Sequence, residues 1–151
     1  MSAVDDRFAL RDLVDAYARH ADRRDPERQA EVFTADGQVT LFDGDPAVRP
    51  ALQQVRGRAA LVEAFRGLMA LYPLTTYVNG QSTVTVDGDS ATGETYCLAH
   101  HLFERDGART LLVMAIRYLD TFVRADSGWL IADRKLIIDW TDERPSSAQR
   151  R

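Results

Sequence analysis

Residues 4 to 22 alternate apolar and polar side chains with a helical period. Leu10, Leu13, Val14, Tyr17 and Ala21 recur at steps of three and four and form one face, while Asp5, Asp6, Arg11, Asp12, Asp15 and Arg19 fall largely off it. Asp25-Pro26-Glu27 then starts a short second helix running to about Phe33, with an N-cap aspartate, a proline in the first turn and an acidic residue behind it. Residues 38 to 42, QVTLF, read as a short strand, and the turn-rich DGDPAVRP after them as a loop. From Arg58 to Leu71 the helical period returns, with Leu61, Phe65, Leu68, Met69 and Tyr72 in step.

The period then changes. Residues 74 to 86, 90 to 104, 109 to 124 and 129 to 140 are rich in Val, Ile, Thr, Tyr and Leu and predict four long strands. Val-Asp-Gly-Asp and Arg-Asp-Gly-Ala join the first three, and Asp-Gly is a strong hairpin signal. An antiparallel meander follows. Helices first and hairpins after predict an α+β domain, with N-terminal helices packed on one face of a curved sheet of four long strands plus one short strand. Residues 1 to 142 are expected as one domain and 143 to 151 as a polar, disordered tail. The third long strand is apolar on both parities, Leu112, Met114 and Ile116 against Leu111, Val113, Ala115 and Leu119. A strand covered on both faces predicts a homodimer or homotrimer through the outer face of the sheet.

Composition narrows the function classes. The 151 residues suit one domain, with 45% hydrophobic and 28% charged residues. The net charge of −4, without a basic cluster before the last residues, argues against a nucleic-acid partner. The longest apolar run, Leu111 to Ile116, is too short for a membrane span. The first residues, MSAVDDRFAL, lack the basic start and apolar run of a signal peptide, and Cys97 is the single cysteine; a cytoplasmic protein is expected. No zinc spacing, phosphate-cradling glycine loop or nucleophile elbow occurs, so neither metal nor cofactor is expected.

Several short motifs in joint order resemble one family. Tyr17, Asp22 and Arg24-Asp25 come first, then Phe33 and Asp36, then Asp87 to Ala91 after a valine-rich strand. Arg117 to Asp120 reads Arg-Tyr-x-Asp, and Trp129, Ile131 and Arg134 close the series. This order is similar to the SnoaL-like branch of the nuclear transport factor 2-like superfamily, over roughly residues 4 to 142. The resemblance implies a cone-shaped α+β fold that hosts dehydratases, isomerases, cyclases, hydrolases and plain binding domains. Scytalone dehydratase, bile-acid 7α-dehydratase and hexachlorocyclohexane dehydrochlorinase are the members it resembles most; they eliminate without a metal or organic cofactor. In them an aspartate at the end of the first helix pairs with a histidine near the start of the first long strand. Asp22 matches that aspartate. The histidine position holds Tyr77.

The candidate residues follow from both readings. Asp25, beside Pro26, is a cap. Asp22 has no capping duty, and the family position makes it a pocket carboxylate suited to general-base work if burial raises its pKa. Tyr17, on the apolar face, is either a core tyrosine or a hydrogen-bond donor to a substrate oxygen. Tyr77 shares the parity of Thr83 and Thr85, so a β-bulge at Asn79-Gly80 is needed to turn it into the cone, and that bulge is predicted. His100 and His101 are adjacent on a strand and point to opposite faces. Pairing Val84 with Ala91 puts Cys97, Ala99 and His101 on the valine face, where small residues leave room for a cavity. His101 is therefore taken as the proton carrier replacing the missing histidine. Arg134 shares parity with Leu130, Ala132, Leu136, Ile138 and Trp140; a guanidinium on an apolar stripe needs a partner, either Asp22 or a bound anion. His20 reads as a surface residue and Cys97 as packing.

The expected activity is a cofactor-free lyase or isomerase acting on a small, largely apolar cyclic molecule, with Asp22, His101, Tyr17 and Tyr77 catalytic and Arg134 binding substrate. The alternatives are a polyketide cyclase or epoxide hydrolase on the same scaffold, and a non-catalytic ligand-binding domain.

Overall fold

The computed structural model describes residues 2 to 147. Helix α1, Ala3–Asp22, begins with a capping box: the Ser2 hydroxyl accepts from the Asp5 amide and the Asp5 carboxylate accepts from the Ser2 amide. Its apolar stripe is buried at Leu10, Val14, Tyr17, Ala18 and Ala21. Helix α2, Pro26–Glu31, is capped by Asp25, whose carboxylate accepts from the Arg28 amide at 3.1 Å. It stops short of Phe33, which already begins strand β1, Phe33–Asp43. Strand β2, Gln53–Arg56, helix α3, Arg58–Leu71, and strands β3, Leu74–Asp87, β4, Ser90–Arg105, β5, Ala108–Ala125, and β6, Gly128–Pro145, complete the order.

The sheet runs β2-β1-β6-β5-β4-β3. Strands β3 to β6 form the expected antiparallel meander, and β1 joins β6 in parallel. Six strands replace the expected five: β2 lies between the expected loop DGDPAVRP and helix α3, in a stretch for which no element is expected, and its QQVR shows no alternation to reveal it. The C-terminal boundary also moves. Strand β6 continues through Glu143 to Pro145, paired to Thr110 and Leu111, while residues 148 to 151 lie outside the described residues.

Three bulges set which side chains face the helices. The register slips between Asn79 and Ser82, as the Asn79-Gly80 pair predicts, and Tyr77 comes opposite the buried Ala99. On β6, Ala132 and Asp139 are the extra residues. Arg134 therefore shares the inner face with Ile131 and Trp129 instead of Leu130 and Ala132, and Trp140 turns outward, 54% exposed. The first hairpin pairs Val84 with Gly93 and Val86 with Ala91, not Val84 with Ala91; parity is kept, so Cys97, Ala99 and His101 still face inward. Gly93 sits where a Cβ would lie 2.9 Å from the Thr83 carbonyl oxygen and from Val84 Cγ1, so the strand crossing there admits no larger residue.

The core lies between α1, α3 and the concave face. Tyr17 packs edge-on to Phe33, Phe65 and Tyr118, with centroids 5.6 to 6.1 Å apart. Among the described residues no helix is long and apolar enough to cross a membrane. On the outer face Val78, Leu98, Ala115 and Trp140 are register partners, a single row across β3, β4, β5 and β6. Three of the four, Val78, Leu98 and Trp140, are exposed.

Candidate active site

A cavity of about 500 Å³ opens between α3 and the concave face of the sheet. Its walls are mostly apolar, with Val39 and Leu41 from β1, Val55 from β2, Leu61, Phe65 and Leu68 from α3, and Met114, Ile116, Leu136 and Ile138 from β5 and β6. Tyr17, Gln53, Tyr72, Tyr77 and His101 are its polar residues, and no Asp, Glu, Lys or Arg among the described residues lines it.

The polar pole of this cavity is built from β3 and β4. His101, 3% exposed, directs Nε2 toward the Tyr77 hydroxyl at 3.4 Å, and its Nδ1 lies 3.3 Å from the Leu112 carbonyl oxygen. A carbonyl can only accept, so Nδ1 carries the proton and Nε2 presents a lone pair to Tyr77 and the cavity. Burial pushes the His101 pKa below its usual 6.5, against opposing hydrogen bonds to the Leu112 and Ala99 backbone. The imidazole is therefore neutral at neutral pH. Burial also pushes the Tyr77 hydroxyl well up, which keeps it protonated and a donor. Tyr72 lies against the imidazole with centroids 4.5 Å apart and is itself edged by Phe103 at 5.6 Å. It is held from below: Arg24, at φ +59°, donates to the carbonyl oxygens of Met69, Tyr72 and Pro73 at 2.6, 2.9 and 3.1 Å.

Asp22 stands apart from this pole. It lines a shallow polar groove with Asp15, Arg19, Arg23 and Asn79 on the far side of Tyr77 and is not part of the cavity wall. Its carboxylate accepts from the Tyr77 amide at 3.1 Å to each oxygen and from the Thr75 hydroxyl at 3.0 Å. Burial raises its pKa from 3.8, offset by those bonds from Tyr77 and Thr75. Asp22 therefore fastens the end of α1 to the stretch of β3 that carries Tyr77.

Arg134 is fully buried and also outside the cavity wall. Its partner is Asp120, not Asp22, in a two-pronged pair at 2.8 and 2.9 Å. The guanidinium carbon sits 3.9 Å from the Tyr118 ring centre and 4.3 Å from that of Tyr17. Burial opposes its charge, and the adjacent Asp120 more than compensates, so Arg134 stays ionised. Tyr17 lines the cavity above it. Burial drives the Cys97 thiol up to about 11, which makes it packing and not a nucleophile.

The structure thus joins Tyr17, Tyr77 and His101 in one cavity and leaves Asp22 and Arg134 behind its walls. Sequence reasoning missed Tyr72, Thr75 and Asp120. Asp120 was findable: it shares parity with Tyr118 and Phe122, and a carboxylate on that stripe calls for a cation.

The SnoaL-like domain model matches residues 2–135. The chain belongs to the SnoaL-like family. A nuclear transport factor 2-like protein with a cystatin-like fold from Novosphingobium aromaticivorans is similar at 28% identity, covering 89% of this chain and 82% of that one, with a TM-score of 0.67. A proposed scytalone dehydratase from the same organism superposes with a TM-score of 0.74 at 22% identity, covering 96% and 91%. A hexachlorocyclohexane dehydrochlorinase reaches 0.78 at 15% identity, covering 98% and 95%. At such identities the last two show a shared fold and nothing finer.

Proposed function

We propose that this SnoaL-like protein is a cofactor-independent lyase or isomerase acting on a small, largely apolar cyclic molecule. The observation that carries the reading is the Tyr77–His101 pair, an acid–base couple at the polar end of an apolar cavity. His101 Nε2 takes a proton from carbon beside a carbonyl or leaving group. The Tyr77 hydroxyl donates to the substrate oxygen and holds the charge that develops there. Tyr77 keeps its own proton throughout, because burial disfavours the phenolate. In an elimination the C–H pair becomes the new double bond, and His101 passes its proton to the departing oxygen, which leaves as water. In an isomerisation His101 returns the proton to a second carbon. Tyr17 shapes the cavity beside this pair. The proposed dehydratase and the dehydrochlorinase among the structural neighbours bear names of the elimination class, which supports the reading. A water-activating hydrolase has less support, since no carboxylate among the described residues lines the cavity.

The test needs no leaving group. Exchange of the α-protons of 2-tetralone in heavy water, followed by NMR, reads the proton abstraction directly. The wild-type protein accelerates exchange over buffer, and His101→Gln loses roughly 10²- to 10⁴-fold of that acceleration. Equal exchange in the two proteins removes His101 from the chemistry.

A further inference from the structure

We infer that the cavity selects uncharged ligands bearing a hydroxyl group and rejects the carboxylate of the same ring system. The inference rests on reading this cavity as the ligand site.

Among the described residues no charged side chain lines the cavity, and the two that stand behind its walls face other partners. Arg134 bonds both oxygens of Asp120 through Nε and Nη2, its Nη1 staying buried without a partner behind the wall, and Asp22 faces its own groove while accepting from Thr75 and Tyr77. A carboxylate entering the cavity would give up its hydration and meet no counter-charge, which is costly in an apolar site. A hydroxyl meets the reverse situation. Nε2 of His101 is an acceptor and the Tyr77 hydroxyl is a donor, and their mutual contact of 3.4 Å is long for a hydrogen bond. One ligand hydroxyl placed between them donates to Nε2 and accepts from Tyr77, replacing one weak bond with two. An ether or carbonyl oxygen accepts from Tyr77 and leaves Nε2 unpaired. The expected order is hydroxyl, then ether or carbonyl, then carboxylate. The remaining cavity wall is mostly apolar, with Tyr17, Gln53 and Tyr72 as its other polar residues, and accepts rings.

Isothermal titration calorimetry at neutral pH with 2-naphthol, 2-methoxynaphthalene and 2-naphthoate tests this order. The expected result is binding of 2-naphthol, about tenfold weaker binding of the ether, and binding of naphthoate weaker by about a hundredfold or undetectable. Tyr77→Phe and His101→Phe each weaken 2-naphthol about tenfold and bring it level with the ether. The second variant guards against misfolding in the first. Naphthoate binding as tightly as naphthol, no binding of naphthol, or indifference of naphthol to both substitutions overturns the inference. Proton exchange of 2-tetralone separates the two claims. Lost discrimination with exchange intact defeats the selectivity alone, and intact discrimination without exchange defeats the reaction alone.

Discussion

At the residue scale, the chemistry divides differently from the sequence motifs. Asp22 carries the family position, yet its oxygens are occupied by the Tyr77 amide and the Thr75 hydroxyl. It is a positioning residue for the strand that presents Tyr77. Asp22→Ala strands those donors and is expected to cost about 1–3 kcal/mol, read as a lowered Tm. Exchange of 2-tetralone falls by no more than about tenfold, against the larger loss in His101→Gln. His101 was legible because Cys97 and Ala99 precede it at alternate positions and leave space on one face. Arg134 was half legible: its need for a partner could be read, but choosing between Asp22 and Asp120 requires the register of β5 on β6. Burial also ties His101 to folding. Its folded pKa lies below the unfolded 6.5, so its contribution to stability is complete above 6.5 and is lost as pH falls through the folded value.

At the element scale, the helices and hairpins were readable because periodicity, caps and Asp-Gly turns agree. The Asn79-Gly80 bulge carried a turn signal and was anticipated. Those at Ala132 and Asp139 carry none, and they decide which face Arg134 and Trp140 take. Strand β2 is short and polar and exists through its pairing with β1. Helix α3 offers a clean test of local energetics. Gly67 sits in its interior, and a Cβ there meets nothing within 4 Å. Gly67→Ala is expected to stabilise the protein by about 1 kcal/mol, a rise of roughly 2–4 °C in Tm by calorimetry.

At the scale of the whole molecule, helices and cavity occupy the concave side of the sheet, and among the described residues Val78, Leu98 and Trp140 stay exposed on the convex side. The dimer or trimer expected from the apolar β5 is retained as a proposal, now located at the row Val78, Leu98, Ala115 and Trp140. The flanking Arg117 is paired with both Glu94 and Asp139, so the three charges beside the row are held in one cluster with a single net negative charge. Sedimentation of the wild type is expected to show a dimer or trimer, and Trp140→Glu a monomer; a monomeric wild type would refute it.

The central claim is that a neutral imidazole, and not a carboxylate, is the base. The pH dependence of 2-tetralone exchange, read in wild type and in variants, tests it most directly: Asp22 is shifted up from 3.8 and His101 down from 6.5, so their midpoints approach each other and the variants assign the plateau. With His101 as the base, the rate rises with pH to a plateau whose midpoint lies below 6.5 and stays level through neutrality, and the plateau collapses in His101→Gln while surviving in Asp22→Asn. A plateau that survives in His101→Gln and is lost in Asp22→Asn would contradict it and return the chemistry to the carboxylate.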